Sequence, residues 1–149
     1  MRINAHHYLH EIREAYAYII NKQKALEQYD YMLGVSGIDY NPDKVQTTPR
    51  QDGLERQAIR HLEVVGHIKL DIARKIEWRT KRIDEATDMI SKIESKDQQD
   101  VLMMRYIEGM SWSDILNARG CDNLSSQYEL HKRAIESLQK ILDGDLIGS

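Results

Sequence analysis

Ser125, Ser126, Gln127, Glu129, Lys132 and Arg133 crowd one short stretch near the carboxy terminus, and each has a chemistry suited to a duplex groove. A glutamine amide pairs with adenine, a glutamate accepts from the amino group of cytosine, and lysine or arginine reaches guanine or phosphate. Trp112 and Arg119 bracket an earlier segment and are placed to touch phosphates from its two ends. The same side chains also suit an ordinary solvated helix face with a serine cap, and Trp112 suits a half-buried packing position. What separates the two readings is the set of elements that carries these residues.

Other candidate chemistry is thinner. His6 and His10 are four apart and share a helix face, as metal ligands can, with His7 between them. No third ligand follows at a recognisable spacing, so these are read as surface or helix-end histidines and no cofactor is expected. His131 falls on an apolar stripe, which marks a satisfied core or interface histidine. Cys121 has only Arg119 nearby, too little to activate a thiol. The carboxylate pairs Asp84 with Glu85 and Asp97 with Asp100 lie on charged helix surface. No glycine-rich phosphate cradle or nucleophile elbow accompanies them, so no enzyme is expected.

Residues Val101 to Leu142 read as three short helices. Val101, Leu102, Met104, Tyr106 and Ile107 make an apolar face that Gly109 stops with a left-handed cap. Ser111 then caps a second helix through its hydroxyl, with Asp114 three residues on, and that helix ends at Gly120. The turn Gly120-Cys121-Asp122-Asn123 leads to a third helix capped by Asn123 or Ser125. There Leu124, Tyr128, His131, Ile135, Leu138 and Leu142 are expected to face a core, with Ser126, Glu129, Lys132, Arg133, Glu136 and Lys140 mostly on the other side. A helix of two turns followed by a glycine turn and a longer helix is the layout of a helix-turn-helix.

MMRYIEGMSWSDI followed by LHKRAIESLQ resembles region 4 of bacterial sigma-70-type factors, over roughly the last third of the chain. With a long helical amino-terminal part, the whole resembles the small phage-encoded transcription regulators of the ArpU and RinA kind. Gln127 stands where that pattern usually has an apolar residue. The resemblance implies sequence-specific binding of double-stranded DNA to regulate late or packaging genes, in the cytoplasm of a bacterial host. It also implies host RNA polymerase as a partner.

The amino-terminal two thirds must position this module. Leu9, Ile12, Tyr16, Ile19, Gln23, Leu26, Asp30 and Leu33 form one coiled-coil-like seam. Ala58, Leu62, Val65, Ile68, Ile72, Ile76, Arg79, Ile83, Ala86, Ile90 and Ile93 form a longer one. Glycines and prolines between them predict a connecting loop over 34–53. The expectation is an all-α protein, with a long antiparallel helical hairpin over 1–95, a helix-turn-helix over 96–143 and a tail over 144–149. The second helix outruns the first, so apolar surface is left for the carboxy-terminal helices or for a second copy in a homodimer.

Composition bounds these readings. Hydrophobic residues at 41%, charged residues at 30%, two prolines and no phenylalanine suit a helical chain better than a disordered or β-rich one. One cysteine fits a reducing compartment, and Met1-Arg2-Ile3-Asn4 leads into a polar helix rather than a signal-peptide core. A net charge of −3 is unusual for a DNA binder, and Val101 to Leu142 balances five bases with five acids. Between Lys69 and Arg82, six bases stand against two acids, a run suited to phosphate or to an acidic protein. Two rivals therefore stand beside the transcription regulator: a small terminase subunit recognising packaging sites, and an adaptor using the helix-turn-helix shape for protein contacts.

Overall fold

The computed structural model describes the backbone of residues 2–37 and 48–148, and the side chains of residues 2–31 and 53–144. Among these residues the chain is all-α. Helices α1 (Ala5–Gly37) and α2 (Thr48–Ser91) are long, and α3 (Lys96–Leu102) runs on into a π-helical turn, Met103–Ile107. Then come α4 (Trp112–Arg119) and α5 (Leu124–Gly148).

Local chemistry sets most of the boundaries. Asn4 Oδ1 accepts from the His7 amide at 2.9 Å and starts α1. Ser95 Oγ accepts from the Gln98 amide at 3.3 Å, Ser111 Oγ from the Asp114 amide at 3.1 Å, and Asn123 Oδ1 from the Ser126 amide at 3.2 Å. Each satisfies one amide of a first turn that has no intrahelical acceptor. Gly109 at φ 70° and Gly120 at φ 65° close the helices before them in the left-handed region.

Two expected boundaries are corrected. The loop expected over 34–53 is helical through Gly37 and again from Thr48; residues 38–47 of it lie outside the described residues. Pro49 sits in the first turn of α2, where its missing N–H has no partner to lose, and Gly53 costs a helix only about 1 kcal/mol. The tail expected from 144 is helical backbone through Gly148, since adding residues to an anchored helix is far easier than nucleating one.

The chain divides into two compact units, and each long helix contributes to both. Met1–Ala17 and Trp78–Ser149 make one, and Tyr18–Glu77 the other. The expected border at 95/96 thus differs from the observed grouping. In the larger unit Leu9 and Ile12 of α1 and Ala86, Ile90 and Ile93 of α2 share one core with Val101, Leu102, Tyr106, Ile115, Leu138 and Leu142. Helices α3 and α4 are too short to stand alone, and one end of each long helix packs with them and α5 in the same core. Within this unit α1 and α2 run antiparallel: Tyr8 Oη donates to Glu85 Oε2 at 3.0 Å, and Arg79 Nε to the Ile12 carbonyl at 3.3 Å. Gln139 fixes the start of α1 to α5 by accepting from the Ala5 amide and donating to the Ile3 carbonyl, both at 2.8 Å.

In the smaller unit Val65, Ile68 and Ile72 are buried on α2. Tyr18 lies under Lys22 and Lys75 at 5.5 and 5.4 Å, and Tyr29 meets His61 edge-on at 5.6 Å. These pairings again set α1 against α2 in opposite directions. The longer seam is narrower than its periodicity suggests: Leu62 is 64% exposed and Ile76 44%.

Glycine is required at position 109 on two counts. Its φ is positive, and a Cβ there would meet the Tyr16 ring at 2.9 Å. Gly109→Ala is expected to destabilise the larger unit by about 1–2 kcal/mol from left-handed strain alone, read as a lower urea midpoint. Gly120→Ala, with nothing within 4 Å of the added Cβ, carries only the backbone part of that loss.

Candidate nucleic-acid interface

The turn between α3 and α4 ends a helix inside the protein, so its last carbonyls need donors. Arginines supply them. Arg13 Nη1 donates to the Arg105 carbonyl at 2.8 Å and the Met110 carbonyl at 3.1 Å, and Arg105 Nη1 donates to Met110 at 3.2 Å. Arg79 Nη2 donates to the Ile107 carbonyl at 2.6 Å, with its guanidinium 5.1 Å from the centre of the Tyr16 ring. Burial pushes both Arg79 and Arg105 below the usual arginine pKa. Charge-assisted bonds to several carbonyls at once hold the approach to α4 rigidly.

From that turn Ser111 launches α4, and the amides of Gly120 and Cys121 close it on the Asn117 and Leu116 carbonyls at 3.2 and 3.0 Å. Helix α5 follows, presenting Ser125, Ser126, Glu129, Lys132 and Arg133 to solvent. On its other side Ala134, Leu138 and Leu142 are buried. Five of the six expected α5 contacts are therefore exposed, chiefly along the helix face away from the core.

The sixth is a correction. Gln127 is only 3% exposed, and its Oε1 has no hydrogen-bond partner among the described residues. It precedes Ala134 and Leu138 by seven and eleven residues, the spacing of one helix stripe, so the rotation that buries them buries Gln127 too. The expected apolar face turns correspondingly: Leu124 and Tyr128 are 39% and 47% exposed and lie at its edge.

Trp112 and Arg119 are engaged within the protein. The Trp112 ring meets Tyr128 and His131 edge-on at 4.9 and 5.1 Å, under the Arg105 guanidinium at 4.9 Å. Arg119, with its side chain 13% exposed, pairs with Asp97 at 3.0 Å and Asp100 at 3.8 Å of α3. It ties α4 to α3 and is not presented to a phosphate. The basic run from Lys69 to Arg82 is likewise partly structural. Besides Arg79 and Lys75, Arg82 lies over Tyr8 and Trp78 and reaches Glu85 at 3.3 Å, while Lys69 and Arg74 are exposed.

Of the histidines near the start of α1, His7 and His10 pair within their own helix, and His6 also meets His131 of α5 edge-on at 6.5 Å. His7 pairs with Glu11 at 3.0 Å and His10 with Glu14 at 2.9 Å, and the His6 and His10 rings stack at 5.9 Å. Among the described residues no cluster of three or more His, Cys, Asp or Glu is placed to hold a metal. None of the described helices is long and apolar enough to cross a membrane.

A family model described as "Protein of unknown function (DUF1492)" matches residues 41–139. The chain belongs to that family. No curated protein and no solved structure matches it. The DUF1492 match covers α2, α3, α4 and most of α5, so the long helix and the short ones behind it form one family unit. Of the residues that brace this unit from α1, Tyr16 lies on the seam read from periodicity, whereas Arg13 escapes such a reading. Arg13 follows Ile12 on a seam edge, and its acceptors are carbonyls about a hundred residues away.

His131 links α5 to the π-helical turn through a 2.7 Å hydrogen bond between its Nε2 and the Tyr106 hydroxyl. Burial, with His6 and Arg105 adding like-charge repulsion, pushes its pKa down to about 4. The folded ring is therefore neutral where an unfolded one, near 6.5, begins to take a proton. That contribution to stability is complete above about pH 6.5 and is lost as pH falls from there toward 4. NMR of the imidazole should show no titration of His131 above about pH 5, and thermal stability should fall across that window less steeply in His131→Gln.

Proposed function

We propose that the chain is a sequence-specific DNA-binding regulator of transcription that lays α5 in a major groove. The observation that carries this reading is the rigid α3–α4–α5 arrangement, with Ser125, Ser126, Glu129, Lys132 and Arg133 exposed on α5 while Gln127 and Leu138 anchor its other side. A helix held by its neighbours and offering short polar side chains near its start, then cations one and two turns on, matches how such helices meet base edges. Ser125 and Ser126 approach the backbone or base edges first. Glu129 selects cytosine, and Lys132 and Arg133 take guanine or phosphate.

The balanced charge supports a reader that depends on specific contacts more than on phosphate attraction. The sigma-like pattern of MMRYIEGMSWSDI supports a setting in the cytoplasm of a bacterial host, as a phage or prophage regulator of late or packaging genes. Host RNA polymerase is then a second partner. A homodimer would offer two α5 helices to half-sites about 34 Å apart.

The adaptor reading has one observation in its favour: Glu129 and Glu136 alternate with Lys132, Arg133 and Lys140 along the exposed side of α5. Salt separates the two. DNA should be retained at about 50 mM salt and released as salt rises, whereas an adaptor retains no DNA at any salt.

Lys132→Ala with Arg133→Ala should weaken a selected operator by at least about tenfold, since removing one side chain's bonds to a base costs about 1–3 kcal/mol. A gel shift in which the double variant keeps both affinity and sequence preference rules α5 out as the reader. Arg119→Ala, by contrast, should lower thermal stability before it alters sequence preference, because Arg119 bonds α3.

A further inference from the structure

Helix α2 carries two apolar faces in the Tyr18–Glu77 unit. Val65, Ile68 and Ile72 are buried. About a third of a turn away, Ile59, Leu62, Gly66, Leu70, Ala73 and Ile76 recur every three or four residues on a second face. Ile59 is 55% exposed, Leu62 64% and Leu70 47%. This second stripe rises about 26 Å along the helix. A row of large aliphatic side chains of that length, left in water, is the mark of an interface rather than of scattered surface residues.

Gly66, at the middle of the stripe, is the second observation. A glycine inside a helix costs stability relative to alanine, and a Cβ here would meet nothing within 4 Å. No described residue of the chain therefore requires it. A partner helix crossing at Gly66 does, because a missing side chain lets two backbones approach closely.

Charge selects the partner. Glu63 and Arg74 are exposed on the same flank of the stripe, displaced in opposite directions along the helix from its middle near residues 67 and 68. A two-fold axis at that middle runs two copies antiparallel and brings each flank against its own equivalent. Glu63 of one copy then lies beside Arg74 of its partner, and the pair occurs twice. Ile59 comes level with Ile76, and Leu62 with Ala73. A parallel pair would place the equivalent flanks on opposite sides of the seam and leave Glu63 without Arg74 beside it.

We propose that this face of α2, centred on Gly66, joins two copies of the chain as an antiparallel dimer. The inference gives the homodimer of the DNA-binding reading its surface and rests on that reading only for the expectation that two copies act together. Its test reads subunit mass, whereas the α5 variants read DNA, so the two fail separately.

The full chain should sediment as a dimer at about 10 µM. Leu62→Glu with Leu70→Glu, on exposed positions, should yield monomers of unchanged helical circular dichroism, with a dimer Kd raised at least about a hundredfold. Gly66→Leu adds a side chain where the single chain has open space, so it should dissociate the dimer without loss of helix. Glu63→Arg should weaken the dimer, and adding Arg74→Glu should restore it. A monomeric wild-type chain overturns the proposal, as does a dimer indifferent to Leu62→Glu with Leu70→Glu and to Gly66→Leu. Failure of Arg74→Glu to rescue Glu63→Arg overturns the antiparallel register.

Discussion

The turn from Ile107 to Met110 governs the larger unit, because a helix ends there among packed side chains and its carbonyls cannot all reach water. Arg13 from α1, Arg79 from α2 and Arg105 from the turn itself supply the missing donors. Leaving a buried carbonyl unpaired costs about 1–3 kcal/mol, so the arrangement constrains all three elements together. Tyr16 closes it from above Gly109, where no Cβ fits. Because Ser111 and α4 follow at once, the angle at which α4 and then α5 leave the turn is set by residues of the two long helices.

This explains why α3, α4 and α5 do not make a domain of their own. Helix α4 spans eight residues and α3 seven, each below the length at which a helix is stable alone. Their apolar side chains find enough cover only with Leu9 and Ile12 on one side and Ala86, Ile90 and Ile93 on another. Arg119 with Asp97, and Ser137 Oγ donating to Gln98 Oε1 at 2.6 Å, then fix α4 and α5 against α3. The result is a partly exposed polar fringe around an aliphatic core, with Tyr106 and His131 bonded at its edge and the ring of His131 held neutral.

Under the DNA-binding reading we propose, a face held in this way recognises by shape and hydrogen bonds rather than by net charge. The exposed side of α5 alternates acids and bases, so little long-range attraction draws it to a polyanion. Several cations that look available in the sequence serve inside the fold instead: Arg79 on carbonyls, Arg82 on aromatic rings, Arg119 on two aspartates. That redistribution leaves Lys132, Arg133 and Lys140 as the exposed bases of α5.

Periodicity and punctuation in the sequence determined the all-α class, the two long helices and the starts of α4 and α5. These features depend on neighbours a few residues away: Ser111 and Asn123 cap through their own next turn, and Gly109 and Gly120 stop helices by their own backbone freedom. The exposed candidates of α5 were legible for the same reason, since apolar spacing places them on the outer side. Only the tertiary structure decided that Gln127 turns inward, that Trp112 and Arg119 are occupied by Tyr128, His131 and two aspartates, and that Ala5 to Ala15 belong with the carboxy-terminal helices. Each of those outcomes turns on helix rotation and on partners far away in the chain. A repeat of three and four residues specifies neither, because it shows that a helix has an apolar side without showing what lies across from it.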